Sequence, residues 1–134
     1  MGVRITIISG FLGAGKTTLI NKLIPFIHQK LALIENEFGD IGIDGDLLPG
    51  ELPIREINAG CICCSMAWDF DRAITEIVQL YNPAEIIIEP SGVASVSDIL
   101  KAIGRVSDRG ELALADVRIV TVVDTSSYED YRDN

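Results

Sequence analysis

The sequence predicts an α/β protein with a doubly wound, mostly parallel sheet, on three observations. Ile5-Thr-Ile-Ile8, Ile86-Ile-Ile88 and Ile119-Val-Thr-Val-Val123 are near-continuous β-branched runs, the pattern of strands covered on both faces. Segments with apolar residues at helical spacing lie between such runs. A glycine-rich turn joins the first run to a helical pattern, which is where an open parallel sheet carries its ligand. The chain has 134 residues, enough for one domain and one core, and 48% of them are hydrophobic, enough to fill it.

Taken in order, five strands are expected at about 3–8, 31–35, 52–57, 84–88 and 117–123. The helix after the first has Leu19, Ile20, Leu23, Ile24 and Ile27 on one face. Pro25 interrupts it, and an interior proline costs roughly 3 kcal/mol, so a kink or an end is expected near Ile24. His28, the single histidine, lies just past that point and reads as a surface residue. A second helix is expected from about Ala67 to Tyr81, with Phe70, Ala73, Ile74, Ile77, Val78 and Tyr81 in phase and Asn82-Pro83 as its stop. A third covers about 96–104, opened by the capping pattern Ser95-x-x-Asp98 and closed by Gly104.

The turn after the first strand reads Gly10-Phe-Leu-Gly-Ala-Gly-Lys16-Thr17, which fits the phosphate-binding loop G-x-x-x-x-G-K-[ST]. Glycines let successive backbone N–H groups curl around phosphate oxygens, and the next helix adds its positive N-terminal end. Lys16 is expected on the β- and γ-phosphates and the Thr17 hydroxyl on Mg²⁺. The dinucleotide fingerprint G-x-G-x-x-G fails, because Gly13 and Gly15 are followed by Thr18 rather than a third glycine. The ligand is therefore a nucleoside triphosphate, and the fold is a P-loop NTPase.

Two acidic strand ends complete the expected site. Glu35-Asn-Glu-Phe-Gly-Asp40 follows the second strand, with Glu37 and Asp40 in reach of Mg²⁺ directly or through water. No basic residue falls between Lys30 and Arg55, whereas Glu35, Glu37, Asp40, Asp44, Asp46 and Glu51 do; a cation neighbourhood and a solvated acidic loop both fit that bias. Glu89 ends the buried run at 86–88, the usual second anchor for the Mg²⁺ shell. Gly92, three residues on, lets a backbone N–H approach the γ-phosphate with no side chain in the way.

All three cysteines, Cys61, Cys63 and Cys64, fall within four residues. Thiolates suit soft metals such as zinc, Co²⁺ or Ni²⁺, and three sulfurs leave a tetrahedral site one ligand short. Glu37, another acid, water or a second protein would complete it, an open arrangement suited to metal transfer. A redox pair and incidental cysteines are the alternatives.

The net charge of −9 argues against nucleic-acid and anionic-membrane partners and suits cations. No apolar run nears the ~20 residues of a membrane helix, and no secretory leader pattern opens the chain, so a cytoplasmic protein is expected.

GFLGAGKTT, ENEFGDIGID, NAGCICCS and IIIEPSGVA, in this order, resemble the CobW-type GTPases, which are similar to the urease and hydrogenase nickel-insertion GTPases. The resemblance covers essentially the whole chain, with the CxCC element its most diagnostic piece. It implies a GTPase that binds zinc, cobalt or nickel and delivers it to a client metalloprotein, and a homodimer is compatible with it. It makes Gly13, Gly15, Lys16, Thr17 and Thr18 nucleotide and Mg²⁺ contacts, and with Gly10 and Ala14 of the loop and Gly92 after the strand end they form the expected nucleotide-binding set. Lys16, Glu89 and Asp40 are the expected catalytic set; Thr17, Glu37, Glu89, Cys61, Cys63 and Cys64 are the expected metal ligands. The family's guanine-reading [NT]-K-x-D motif and smaller second domain find no counterpart within 1–134, so the chain is expected to be part of a nucleotide-binding domain, and GTP over ATP rests on the resemblance. A thiol or metal sensor that binds nucleotide without turnover, and a small-molecule P-loop kinase, remain alternatives. Against the kinase, Lys22 and Lys30 are the only basic residues between Lys16 and Arg55.

Overall fold

The computed structural model describes residues 2–11, 13–35, 54–56, 62–65, 70–90 and 95–126. In chain order they form β1 (Val3–Ser9), α1 (Lys16–Leu23), a 3₁₀ turn (Ile24–Phe26), β2 (Leu31–Glu35), β3 (Ile54–Glu56) and β4 (Ile62–Ser65). Then come α2 (Phe70–Tyr81), β5 (Glu85–Ile88), α3 (Val96–Asp108) and β6 (Leu114–Thr121). The strands make one sheet in the order β3-β4-β2-β5-β1-β6. Every pairing is parallel except the β3–β4 hairpin at one edge. This is the doubly wound P-loop NTPase fold.

Burial divides by strand face. Ile5 and Ile7 of β1, Ala32 and Ile34 of β2, and Ile86 and Ile88 of β5 pack under α2 and α3. Ile8, Leu31, Leu33 and Ile87 point to the other face and meet Ile20 of α1. Central strands that bury both faces need side chains apolar at successive positions, and for that reason Ile86-Ile-Ile88 lacks a polar alternation. Among the described residues no helix is long and apolar enough to cross a membrane.

Helix ends follow local chemistry. Pro25 falls in the 3₁₀ turn that relieves α1, as its ring requires. Asn82 takes a left-handed φ of 44° after α2, and its amide donates to Val78 O. Ser95 caps α3: its Oγ accepts from the Asp98 amide at 3.1 Å and donates to Asp98 Oδ2 at 2.8 Å. His28 is exposed.

Three expectations change. Gly104 does not close α3, which runs on to Asp108, because Val106 in that added turn is fully buried against the core. The chain turns instead at Gly110, whose φ is 74°. Five strands become six: Ile62–Ser65, which carries Cys63 and Cys64, is a strand inserted between β2 and β3. Finally, 117–123 is not a strand covered on both faces. β6 starts earlier, at Leu114, comes last in the strand order among the described residues, and leaves Ile119 50% and Val120 41% exposed. Sequence pattern cannot tell a central apolar strand from an apolar edge strand, since the difference lies in neighbours.

Candidate functional site

The loop between β1 and α1 is shaped by backbone conformations that only glycine adopts cheaply. Gly13 and Gly15 have φ of 79° and 101°, and Gly15 is the N-cap of α1 with no side-chain cap on the first-turn amides. The Ala14 amide closes a turn on Phe11 O at 3.1 Å. Gly10 has φ of 147°, and a Cβ there would lie 2.5 Å from Val122 O, at the end of β6. The Val122 amide donates to Ser9 O at 2.8 Å, so β6 itself presses on the base of the loop. No sequence signal announced that contact.

Lys16 Nζ donates to Gly10 O at 2.6 Å, spanning the loop from α1 back to its start. Thr17 Oγ1 donates to Glu89 Oε1 at 3.0 Å, across a separation of 72 residues. β1 and β5 are adjacent and in register from Arg4↔Glu85 to Ile7↔Ile88, so the residues that follow each strand emerge at one end of the sheet. The Glu89 amide is anchored on Ile34 O at 2.9 Å, which fixes where that carboxylate leaves the strand. A hydroxyl and a carboxylate, both hard oxygen donors beside a curl of amides, fit Mg²⁺ and phosphate.

The structure therefore brings Gly10, Gly13, Ala14, Gly15, Lys16, Thr17, Thr18 and Glu89 to one end of the sheet. Glu37, Asp40, Cys61 and Gly92 lie outside the described residues. Of the cysteine cluster, the backbone of Cys63 and Cys64 is described, within β4. Cys64 is level with Ile34 of β2, and Ile34 is level with Ile88 of β5. Cys64 and the residue before Glu89 are thus in line, two strand spacings apart, about 10 Å of main chain.

Known proteins resemble this chain along nearly all of its length. Residues 4–134 match the family described as CobW/HypB/UreG, nucleotide-binding domain. The chain is 44% identical over 131 residues to a zinc chaperone CobW of Sinorhizobium sp, covering 91% of this chain and 36% of that protein. It is 34% identical over 140 residues to the zinc chaperone YeiR of Escherichia coli K12, covering 97% of this chain and 42% of that one. Among solved structures, the Zn(II)-bound YjiA GTPase of E. coli superposes with a TM-score of 0.74 at 25% identity, over 99% of this chain and 44% of that chain. The chain thus spans roughly two fifths of the length of these relatives.

Proposed function

The chain belongs to the CobW/HypB/UreG nucleotide-binding family, and on that premise we propose that it is the GTP-binding, GTP-hydrolysing unit of a cytoplasmic zinc chaperone. Its cargo is zinc, with Co²⁺ and Ni²⁺ as chemically admissible alternatives, destined for a client metalloprotein. The observation that carries the reading is the 3.0 Å contact of Thr17 with Glu89 beside the glycine loop. Support also comes from names: relatives are called zinc chaperones, and one is a zinc-regulated GTPase metalloprotein activator of Dictyostelium discoideum, 32% identical over 144 residues.

Lys16 exchanges its bond to Gly10 O for the β- and γ-phosphates, and the Gly13–Thr18 amides hold the remaining phosphate oxygens. Thr17 and Glu89 would hold Mg²⁺ between them. When bound, that ion neutralises charge developing on the phosphates during transfer. Glu37, Asp40 and Gly92, which lie outside the described residues, would act at the γ-phosphate and its Mg²⁺ on this reading. No described side chain near the loop is an evident general base, so catalysis is positioning and charge stabilisation.

Metal release follows nucleotide state, on this reading, because the cysteine strand is tied to the nucleotide end through β2. Cys64, Ile34 and Ile88 share one level of the sheet. Zinc titration with a chelating competitor, in the presence of a GTP analogue and then of GDP, tests the coupling. A several-fold difference in zinc affinity is expected; equal affinities would remove it. Cys61→Ser is expected to weaken zinc binding while leaving nucleotide affinity intact.

A further inference from the structure

Val122, just past the end of β6, touches both flanks of the phosphate loop. β6 runs level with β1 up to Ile8↔Val120 and Ser9↔Thr121, which brings Val122 level with Gly10. The Val122 amide donates to Ser9 O at 2.8 Å, carrying the β1–β6 ladder to the first residue of the loop. Val122 O then lies so near Gly10 that a Cβ on that glycine would stand 2.5 Å from it. Gly10 takes φ of 147°, in the region that favours glycine.

The Val122 side chain reaches the other flank. It packs against the cluster that contains Ile8 of β1 and Ile20 of α1. Ile20 is fully buried, in the first turn and a half of the helix that Lys16 and Thr17 begin. One half-buried valine is thereby in contact with the end of β1 and with the packing under α1, the two ends between which the loop is strung. Gly10 O also accepts from Lys16 Nζ at 2.6 Å, so the residue that Val122 presses on is the one that holds the loop's cation. A cradle of amides binds phosphate best when it is in place before the ligand arrives, because re-aiming it on binding costs affinity.

We propose that Val122 is a positioning residue for triphosphate binding. Its backbone sets the Gly10 end of the loop, and its side chain locks that end to α1. It acts through Gly10 and Lys16, and lies outside the G-x-x-x-x-G-K-[ST] pattern. The inference rests on the nucleotide reading above and deepens it.

Calorimetric titration with a non-hydrolysable GTP analogue tests it. Val122→Ala should weaken binding about fivefold or more and shift the Gly10, Gly13 and Gly15 amide resonances of the ligand-free protein. Val117 of β6 packs on the α2–α3 side of the sheet, away from the loop. Val117→Ala makes the same truncation there and should leave affinity within about twofold of the unaltered chain. Val122→Ile keeps the branched anchor and should bind like the unaltered chain. Circular dichroism checks that each variant is folded. In the unaltered chain, hydrogen exchange at the Val122 amide should slow several-fold when the analogue binds, since coupling between two sites is reciprocal.

Retained affinity or unmoved loop resonances in Val122→Ala overturn the proposal. So does an equal loss in Val117→Ala, which would mean general loosening, or Val122 exchange that ignores the analogue. An unaltered chain that fails to bind the analogue, or binds it no better than Lys16→Ala does, removes the nucleotide reading itself and this inference with it.

Discussion

Thr17 Oγ1 and Glu89 Oε1 sit 3.0 Å apart although 72 residues separate them in the chain. The contact exists because β1 and β5 are neighbours in register, one delivering the first turn of α1 and the other ending in Glu89. Both groups are hard oxygen donors, and on the proposed reading they would hold one Mg²⁺ together. Glu89→Gln and Thr17→Ala should each lower Mg²⁺-dependent GTP hydrolysis by about tenfold or more, equivalent to roughly 1.4 kcal/mol of barrier. The double variant should fall short of the product of the two single losses, as expected of residues sharing one partner. Single-turnover hydrolysis with a Mg²⁺ titration measures this; full multiplicativity would separate the two roles.

Lys16 is the cation that spans the loop, bonded to Gly10 O at 2.6 Å. Lys16→Ala should abolish measurable triphosphate binding and move thermal stability by no more than about 0.5 kcal/mol, because the side chain is no part of the core. Calorimetric titration with a GTP analogue, alongside a melt, checks both halves. Affinity retained within a few-fold would contradict the role.

The loop glycines are needed for different reasons. A Cβ at Gly10 meets Val122 O at 2.5 Å as well as an unfavourable φ, whereas one at Gly13 meets only the unfavourable φ and open space. Gly10→Ala should therefore destabilise by about 1–3 kcal/mol and Gly13→Ala by about 1 kcal/mol, nearer the strain of a single left-handed residue. Denaturant melts of the two variants give the order, and Gly13→Ala melting lower than Gly10→Ala would refute it.

Acid stability is tied to the α2–α3 surface. Arg105 grips Asp71 at 2.9 Å, and its hydrogen bonds, aided by those of Arg109, hold that carboxyl below the usual range. Arg109 does the same for Glu111 at 3.0 Å, with Thr75 Oγ1 donating at 2.8 Å. Depressed folded-state values mean that both contributions are present above the ordinary carboxylate range and vanish as pH falls through the folded values. Stability should thus decline in acid, and D71N/E111Q should flatten that limb while losing some stability at neutral pH. Melts from neutral to acid pH check the slope; an unchanged acid limb would exclude these two groups as its cause.

The glycine loop was legible because it is local. Gly10 to Thr17 are contiguous, and the conformations they need are written in their residue types. Glu89 was legible too, as the acid that ends an all-isoleucine run. The strand carrying Cys63 and Cys64 was not, since Ile62–Ser65 is short and becomes a strand by lying beside β2. Gly104 misled for a related reason: burial of Val106 outweighs the glycine's modest helix penalty of about 1 kcal/mol.

The sequence by itself determined β1, β2 and β5, the places of the three helices, the phosphate loop and the family. Those are set by patterns a few residues long, where backbone conformation and side-chain periodicity act directly. Tertiary structure alone decided that β6 lies beside β1, that Val122 presses on Gly10, that Thr17 reaches Glu89, and that Cys64 is level with Ile88. Each of these is a contact between segments distant along the chain, and such contacts exist only once sheet order and register are fixed.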